Sequence, residues 1–185
     1  MPKVSQLPED TAPVSGDQLL TVDDPNGAPT SKKATIANVV NAARAKGGIY
    51  VNQGVTDQLN ITTTPVKLAA FSAAEGWNGI ALNTTPDKDN NQISVANDCD
   101  VTGKLFLGAS GKANTKFKFE FYVNGLATTK FANARTTGSA TDAMSVGVGG
   151  ILELNAGDVV SVYVNSDDVN GALLTVEYAQ FYISD

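Results

Sequence analysis

The sequence contains no histidine and only one cysteine, Cys99. Without histidine, the chain lacks the commonest general base, the base of the usual catalytic triads and the side chain that most often binds transition metals. One cysteine cannot form an internal disulfide, and alone it cannot build a cysteine-based zinc site. We therefore expect Cys99 to be a small buried residue, and we expect neither enzymatic activity nor a bound cofactor.

The sequence also lacks long apolar runs and an excess of positive charge. No stretch of the 185 residues is long and apolar enough to cross a membrane, and the first residues lack the apolar core of a secretion signal. The formal net charge is −6, so nucleic acid and anionic membranes would repel the chain as a whole. These features predict a protein that is made in the cytoplasm and binds neither nucleic acid nor membrane.

Aromatic residues are absent from the first part of the chain. All of them lie at Tyr50 or beyond, and residues 1–48 hold five of the seven prolines. Positive and negative side chains balance within residues 1–48, so the whole net charge of −6 belongs to residues 49–185. A segment that is rich in proline and has no aromatic residue cannot bury enough apolar surface to form a core. We therefore predict an N-terminal extension, residues 1–48, and a folded domain, residues 49–185.

Two short elements are predicted inside the extension. Residues 18–22 read as a strand, residues 24–27 as a turn and residues 30–34 as the returning strand of a hairpin. Residues 35–46 carry apolar side chains at the spacing of a helix face, after an N-capping threonine and before two glycines. A hairpin and a short helix are each marginal alone in water, so both need a surface to dock on.

The folded domain is organised around a predicted strand at residues 116–124. Phe117, Phe119 and Phe121 fall on alternate positions between polar neighbours, and Asn124-Gly125 follows as a turn. From residue 49 to the end, such runs alternate with turns, which predicts an all-β antiparallel sandwich or barrel. The predicted strands are 49–51, 60–62, 65–71, 79–83, 92–96, 102–108, 116–124, 128–131, 143–147, 150–154, 159–165 and 172–183.

The last predicted strand has two dissimilar faces. Tyrosines beside a hydrogen-bonding side chain are typical of a subunit interface, and Tyr163 on the preceding strand is a further interface candidate. The alternative is that a large monomeric sandwich covers these side chains itself. Strict alternation places Val176, Tyr178, Gln180 and Tyr182 on the interface side, and Thr175, Glu177, Ala179, Phe181 and Ile183 on the core side.

Two polar segments resemble ligand-binding loops without completing them. Residues 87–91 have the alternating oxygen side chains that begin a calcium loop, but Gln92 stands where glycine is required and Asp98 where the final glutamate is required. Residues 108–112 are rich in glycine but lack the spacing of a phosphate-binding loop. We interpret both as turns between strands and assign no metal to either.

Five segments of the domain follow one another in a recognisable order: Gln92–Val95, Val101–Leu107, Phe117–Gly125, Ile151–Val162 and Val176–Ile183. This order resembles the TNF-like jelly roll, in the version found in complement-type globular heads. Domains of that family are compact homotrimers, and the sheet with the first, third-from-last and last strands faces the threefold axis. The resemblance implies a jelly roll with Tyr178, Gln180 and Tyr182 at a trimer interface. Tyr163 would lie in the outer sheet and fits less well.

Three segments of the extension, Lys3–Pro8, Gly16–Val22 and Lys33–Val39, resemble the N-terminal anchor of tailed-phage virion appendages. In those proteins the segment attaches a fibre or decoration protein to the particle. The resemblance implies that residues 1–48 dock on the phage capsid or on another virion protein. The apolar anchor candidates are Val4, Leu7, Pro8, Leu19, Leu20, Ile36, Val39 and Val40.

These features together predict a structural phage virion protein. It would be a trimeric capsid decoration or head fibre on the particle surface, produced in the host cytoplasm and anchored by its N-terminal segment. The alternative is a tail-associated receptor-binding protein, in which loops 86–91 and 167–171 recognise a host-surface ligand. A third reading is a non-viral secreted ligand, and the absence of a secretion signal and of disulfides counts against it.

Overall fold

The computed structural model of the chain describes residues 18–23, 30–35, 44–51, 57–72, 76–139 and 143–185. The chain divides into two units, Met1–Ala43 and Arg44–Asp185. In the first unit, β1 (Gln18–Asp23) and β2 (Thr30–Thr35) form an antiparallel hairpin. The hairpin that the turn signal predicts is confirmed.

The helix predicted at residues 35–46 is wrong at both ends. Thr35 closes strand β2, and Lys46 opens strand β3 (Lys46–Val51), while residues 36–43 lie outside the described part of the chain. Strand β3 pairs along its whole length with the last strand of the sandwich, and such long-range pairing overrides a weak local helix propensity. The first three residues of β3, which composition assigns to the extension, are therefore part of the sandwich.

The second unit is built from strands and turns. A 3₁₀ turn, Ala70–Ser72, follows β5. No helix in the described part of the chain is long and apolar enough to span a membrane. The strands are β3 (Lys46–Val51), β4 (Asp57–Ile61), β5 (Val66–Lys67), β6 (Trp77–Asn78), β7 (Thr84–Asp87), β8 (Gln92–Val95), β9 (Cys99–Gly111), β10 (Lys116–Val123), β11 (Leu126–Thr136), β12 (Met144–Leu154), β13 (Val159–Ser166) and β14 (Ala172–Ser184).

These strands form two six-stranded sheets with antiparallel pairing throughout. In sheet I the order is β12-β9-β14-β3-β6, with β4 also paired to β14. In sheet II the order is β11-β10-β13-β8-β7, with β5 also paired to β13. Most neighbours within a sheet are not consecutive in sequence, because the chain crosses repeatedly between the sheets, as in a jelly roll. The predicted all-β antiparallel sandwich is confirmed.

Aromatic side chains from both sheets meet in the core. Phe117, Phe119 and Phe121 on β10 are fully buried, and so is Phe181 on β14. The ring centroids of Phe121 and Phe181 are 5.8 Å apart, and Phe71 of the 3₁₀ turn lies 6.3 Å from Phe181. Strand β10 lies between β11 and β13. The stretch that dominates the sequence pattern is therefore a central core strand, as predicted.

Several strands differ from the predicted ones because pairing continues through turn-like residues. Strand β9 includes residues 108–111, which the sequence predicts as a loop, and β12 runs unbroken through Gly149 and Gly150. Glycine weakens a strand, but β12 pairs with β9 along its whole length, which holds the glycines in the ladder. Conversely, residues 79–83 form only an isolated bridge, between Leu82 and Lys46.

The sandwich begins and ends at neighbouring points. The Arg44 guanidinium Nε lies 3.2 Å from the Asp185 carboxylate Oδ2. The Asp185 backbone N–H also donates to the Ala45 carbonyl oxygen at 3.2 Å. The first residues of the unit are thus bonded to its last residue.

Candidate oligomer interface

Two tyrosines and a glutamine lie in a row on the outward side of β14. Tyr178 and Gln180 are exposed and Tyr182 is half-buried. The residues between them, Ala179 and Phe181, are fully buried. For this half of the strand, the predicted alternation is confirmed, and the three candidates lie together on the outer surface of sheet I.

A β-bulge interrupts this alternation at Glu177. The register of β14 against β9 shifts between Val176 and Tyr178. Val176 is consequently buried rather than sharing the face of Tyr178, and Glu177 is exposed rather than buried. Strict alternation places both residues wrongly, because one extra residue in a strand exchanges the two faces beyond it.

Aromatic rings on neighbouring strands extend the row across sheet I. Phe106 on β9 stacks against Tyr182 with ring centroids 6.3 Å apart, and the Lys104 ammonium lies 5.6 Å from the centre of the same ring. Tyr50 on β3 lies 6.1 Å from Trp77 on β6. We call the surface formed by Tyr50, Trp77, Phe106, Tyr178 and Tyr182 the aromatic face.

Gly108 on β9 leaves the space that the Tyr178 ring occupies. A Cβ atom at Gly108 would lie 2.1 Å from the Tyr178 ring, well inside van der Waals contact. The missing side chain therefore lets the ring lie directly on β9. Sequence reasoning missed this role because Gly108 reads as a turn residue, and it missed Phe106 because the apolar run 105–107 hides the alternation.

Among the described residues, most of the large exposed apolar side chains lie on sheet I, whereas sheet II has Val66 and Leu126. Phe106 is 47% exposed and Trp77 is 43% exposed, and Ile80, just after β6, is 71% exposed. Ile151 on β12 and Leu173 on β14 are exposed as well. Single exposed apolar residues are ordinary, but a group on one sheet surface marks an interaction site. Sheet I therefore offers the better docking surface.

Tyr163 lies on the other sheet from the other three interface candidates. On β13 its ring stacks on Tyr122, with centroids 3.9 Å apart and planes 17° from parallel. Burial, and next the charge of Glu120, raises the pKa of the Tyr122 phenol. Because the two sheets face opposite ways, an interface on sheet I does not include Tyr163.

Most of the anchor candidates lie outside the described residues. Leu19 and Leu20 are in β1, where they pair with Ala34 and Lys33 of β2. The docking role of this segment stays a prediction. The candidates outside the described residues are Val4, Leu7, Pro8, Ile36, Val39 and Val40.

The two loops predicted to touch a ligand are internally bonded turns. The Asp87 carboxylate accepts hydrogen bonds from Asn90 Nδ2 at 2.7 Å and from the Asn90 backbone N–H at 3.0 Å, and these bonds lower the pKa of Asp87. Asp168 pairs with Lys112 and accepts a bond from the Asn170 backbone N–H at 2.9 Å. Within the described ranges, no group of three or more acidic or cysteine side chains is placed to hold a metal ion.

Cys99 is half-buried at the start of β9, rather than fully buried as expected. Burial raises the pKa of its thiol, and the neighbouring Asp100 carboxylate adds to the rise. A thiol that stays protonated is a poor nucleophile.

Comparison with known proteins identifies the fold. No family model and no curated protein sequence matches the chain. Among solved structures, Eiger TNF from S. frugiperda matches with a TM-score of 0.52 at 9% identity, over 77% of this chain and 93% of that one. The globular domain of zebrafish complement 1qA matches with a TM-score of 0.49 at 15% identity, over 76% and 96% of the two chains. The second unit therefore has the fold of a TNF-like jelly roll, as the sequence predicts.

Proposed function

We propose that the chain is a structural virion protein of a tailed phage, a homotrimer anchored by its N-terminal segment. The virion role rests on the resemblance of the N-terminal segments, and one observation supports the trimer. The aromatic face lies on the sheet that holds the first, third-from-last and last strands of the sandwich, β3, β12 and β14. The family resemblance assigns that sheet to a threefold axis, and a second copy of the chain offers matching rings to stack on.

The N-terminal unit supports the anchoring role. Its β1–β2 hairpin has two strands, and an isolated two-stranded hairpin is marginally stable in water. Docking on a virion protein would supply a stabilising surface. In a trimer three anchors bind together, and effective concentration then raises overall affinity by roughly 10²–10⁴-fold.

The trimer is tested by changing Tyr178→Lys together with Tyr182→Lys. We expect the unchanged protein to have the mass of three chains and the double variant the mass of one. The reason is that an interface cannot bury several uncompensated ammonium groups. Light scattering on the eluate of a sizing column measures both masses.

A matched control places the same charges on sheet II, by Tyr122→Lys together with Tyr163→Lys. This variant should remain a trimer while its circular dichroism reports an intact sandwich. If the Tyr178→Lys, Tyr182→Lys protein is still a trimer, the aromatic face is not part of the interface. If the unchanged protein is a monomer, the proposed trimer is wrong.

The anchor is tested by a deletion that ends at Ala43, directly before the sandwich unit. We expect a folded trimer that no longer sediments with phage particles. A deletion through Gly48 should instead lower the thermal midpoint, because it removes half of β3 and its pairing with β14. Retained particle binding after the shorter deletion would contradict the anchor.

A receptor-binding role at the tail is the second candidate. Val169 is 77% exposed at the tip of the bonded turn after β13, where a protruding apolar side chain suits contact with another molecule. Electron microscopy of tag-labelled particles separates the two roles. Label at symmetric capsid positions supports decoration, and label confined to the tail supports receptor binding.

A further inference from the structure

Among the described strands, β12 lies at the edge of sheet I and has β9 as its single partner. Between Met144 and Leu152 it contains no charged residue and no proline. An uncharged edge strand of this length is a template on which a strand of another molecule can add. A protein that forms a discrete assembly must prevent such addition.

Side chains from β11, the edge strand of sheet II, reach this edge. Asn133 Nδ2 donates to the Gly147 carbonyl oxygen at 2.7 Å, and Arg135 Nε donates to the Ser145 carbonyl oxygen at 3.2 Å. In an antiparallel strand, the N–H and C=O of one residue point to the same side. Both carbonyl groups therefore belong to the free side of β12, and two acceptors that an added strand would use are already occupied.

Asn133 and Arg135 lie on the core side of β11, where Asn133 is half-buried and Arg135 stays exposed at the edge of the sandwich. Asn133 lies opposite Phe119 on β10, and Arg135 lies opposite Phe117. Directly opposite residues share a face of the sheet, and both phenylalanines are in the core. From this side of β11, an amide and a guanidinium reach across to the edge strand of sheet I. Inward-pointing polar residues at an edge are a known means of blocking edge-to-edge pairing.

Phe131 covers the next part of the same edge. A Cβ atom at Gly150 would lie 2.0 Å from the Phe131 ring, so the ring occupies the space above the β12 backbone there. Phe131 also packs against the hydrophobic core. We call Phe131, Asn133 and Arg135 together the edge seal.

On the opposite side of the sandwich, backbone hydrogen bonds join the edges of the two sheets. Lys46 and Leu82 exchange two backbone hydrogen bonds, at 2.9 Å and 2.7 Å. Thr84 Oγ1 also donates to the Lys46 carbonyl oxygen at 2.7 Å. That closure includes a main-chain bridge, whereas the β11–β12 closure depends on side chains and is the one that substitution can open.

We propose that the edge seal prevents a second copy of this chain from adding to β12, and so confines self-association to the aromatic face. The second copy is the relevant occupant because its own β12 has the same uncharged edge and is present at equal concentration. This inference rests on the proposed association through the aromatic face, but it does not depend on the virion role.

The test replaces both donors, by Asn133→Ala together with Arg135→Ala. We expect assemblies larger than those of the unchanged protein and a rise in thioflavin T fluorescence, well below the unfolding temperature. Adding Gly147→Pro should restore the original size. The Gly147 N–H faces the free edge, so proline removes no bond to β9, and a Cβ there meets nothing within 4 Å.

A control removes the same residue types elsewhere, by Arg44→Ala together with Asn165→Ala. These side chains bond to Asp185 and to the Thr63 carbonyl oxygen, away from β12, and the variant should keep its size. Unchanged size and fluorescence in the Asn133→Ala, Arg135→Ala protein would overturn the proposal. So would aggregation that Gly147→Pro does not suppress, because it would then come from unfolding. If the double variant does not fold, Asn133→Ala alone gives the same comparison.

Discussion

Asp158 joins two turns at one end of the sandwich, and its replacement tests how much this connection stabilises the fold. Its carboxylate accepts hydrogen bonds from Asn124 Nδ2 at 2.7 Å and from the Asn155 backbone N–H at 2.8 Å. Asn124 Oδ1 in turn accepts a bond from the Val159 backbone N–H at 2.9 Å. The turn after β10 is thereby fastened to the turn after β12. We call Asn124 and Asp158 the turn clamp.

The expected loss on Asp158→Ala follows from these bonds. A hydrogen bond to a charged group contributes about 1.5–3 kcal/mol at most, and an ordinary one about 0.5–1.5 kcal/mol. The turn clamp lies at the surface, where water competes, so the lower values apply. With two bonds at about 0.5–1 kcal/mol each, we expect Asp158→Ala to lower the free energy of unfolding by about 1–2 kcal/mol at neutral pH.

The pH dependence of this loss has a definite sign. Hydrogen bonds, first from the Asn155 backbone and then from the Asn124 side chain, lower the pKa of Asp158 in the folded protein. A lowered folded pKa means that the ionised form is favoured by folding. The contribution is therefore complete above the ordinary carboxylate pKa, and it is lost as the pH falls through the folded pKa. The difference between the unchanged protein and Asp158→Ala should shrink in acid.

Urea denaturation of four proteins measures the effect: the unchanged chain, Asn124→Ala, Asp158→Ala and the double variant. At pH 7 we expect a coupling energy of about 0.5–1.5 kcal/mol between the two residues, and a smaller one at about pH 3, below the ordinary carboxylate pKa. Asp100→Ala, which removes an exposed carboxylate of β9, controls for net charge. Additive losses at pH 7, or a coupling unchanged in acid, would refute the turn clamp.

Three further substitutions test the core, the backbone and the aromatic face. Phe181→Ala should lower the free energy of unfolding by about 3–5 kcal/mol, measured in urea, because its ring is fully buried between Phe71 and Phe121; a loss of about 1 kcal/mol would contradict that packing. Thr129→Gly should raise the same quantity by roughly 0.5–1 kcal/mol, because Thr129 has φ 56 and a β-branched residue is strained there. Gly108→Ala should displace the Tyr178 ring and so weaken association at least ~10-fold (about 1.4 kcal/mol), as measured by sedimentation equilibrium. The thermal midpoint should change little. Unchanged association would show that the position of the Tyr178 ring on Gly108 does not matter to the interface.

The parts of the fold that sequence alone predicts are those with local signals. The alternation of three phenylalanines on β10 and the Asn-Gly turn after it lie within ten consecutive residues, and both are in the structure. The β-bulge at Glu177 has no such signal, because it arises from the pairing of β14 with β9. The alternation therefore predicts Tyr178 and Tyr182 correctly and Val176 wrongly.

The rest of the aromatic face could not be predicted because strand order is a long-range property. Tyr50, Phe106 and Tyr182 are distant in sequence and become neighbours only when β3, β14 and β9 pair side by side. The same holds for Asn133 and Arg135. A polar residue in a strand pattern indicates the face opposite to the core, whereas these two share the face of the buried phenylalanines and bond another strand.

Because Arg44 contacts Asp185, the sandwich unit is suited to circular permutation, in which the strands follow one another in a different order along the chain. A short glycine linker could join the two ends, and the chain could be reopened at the exposed Val169 between β13 and β14, with every pairing kept. The same geometry governs attachment. A peptide or fluorophore fused after Asp185 would emerge next to Arg44, at the start of the sandwich unit.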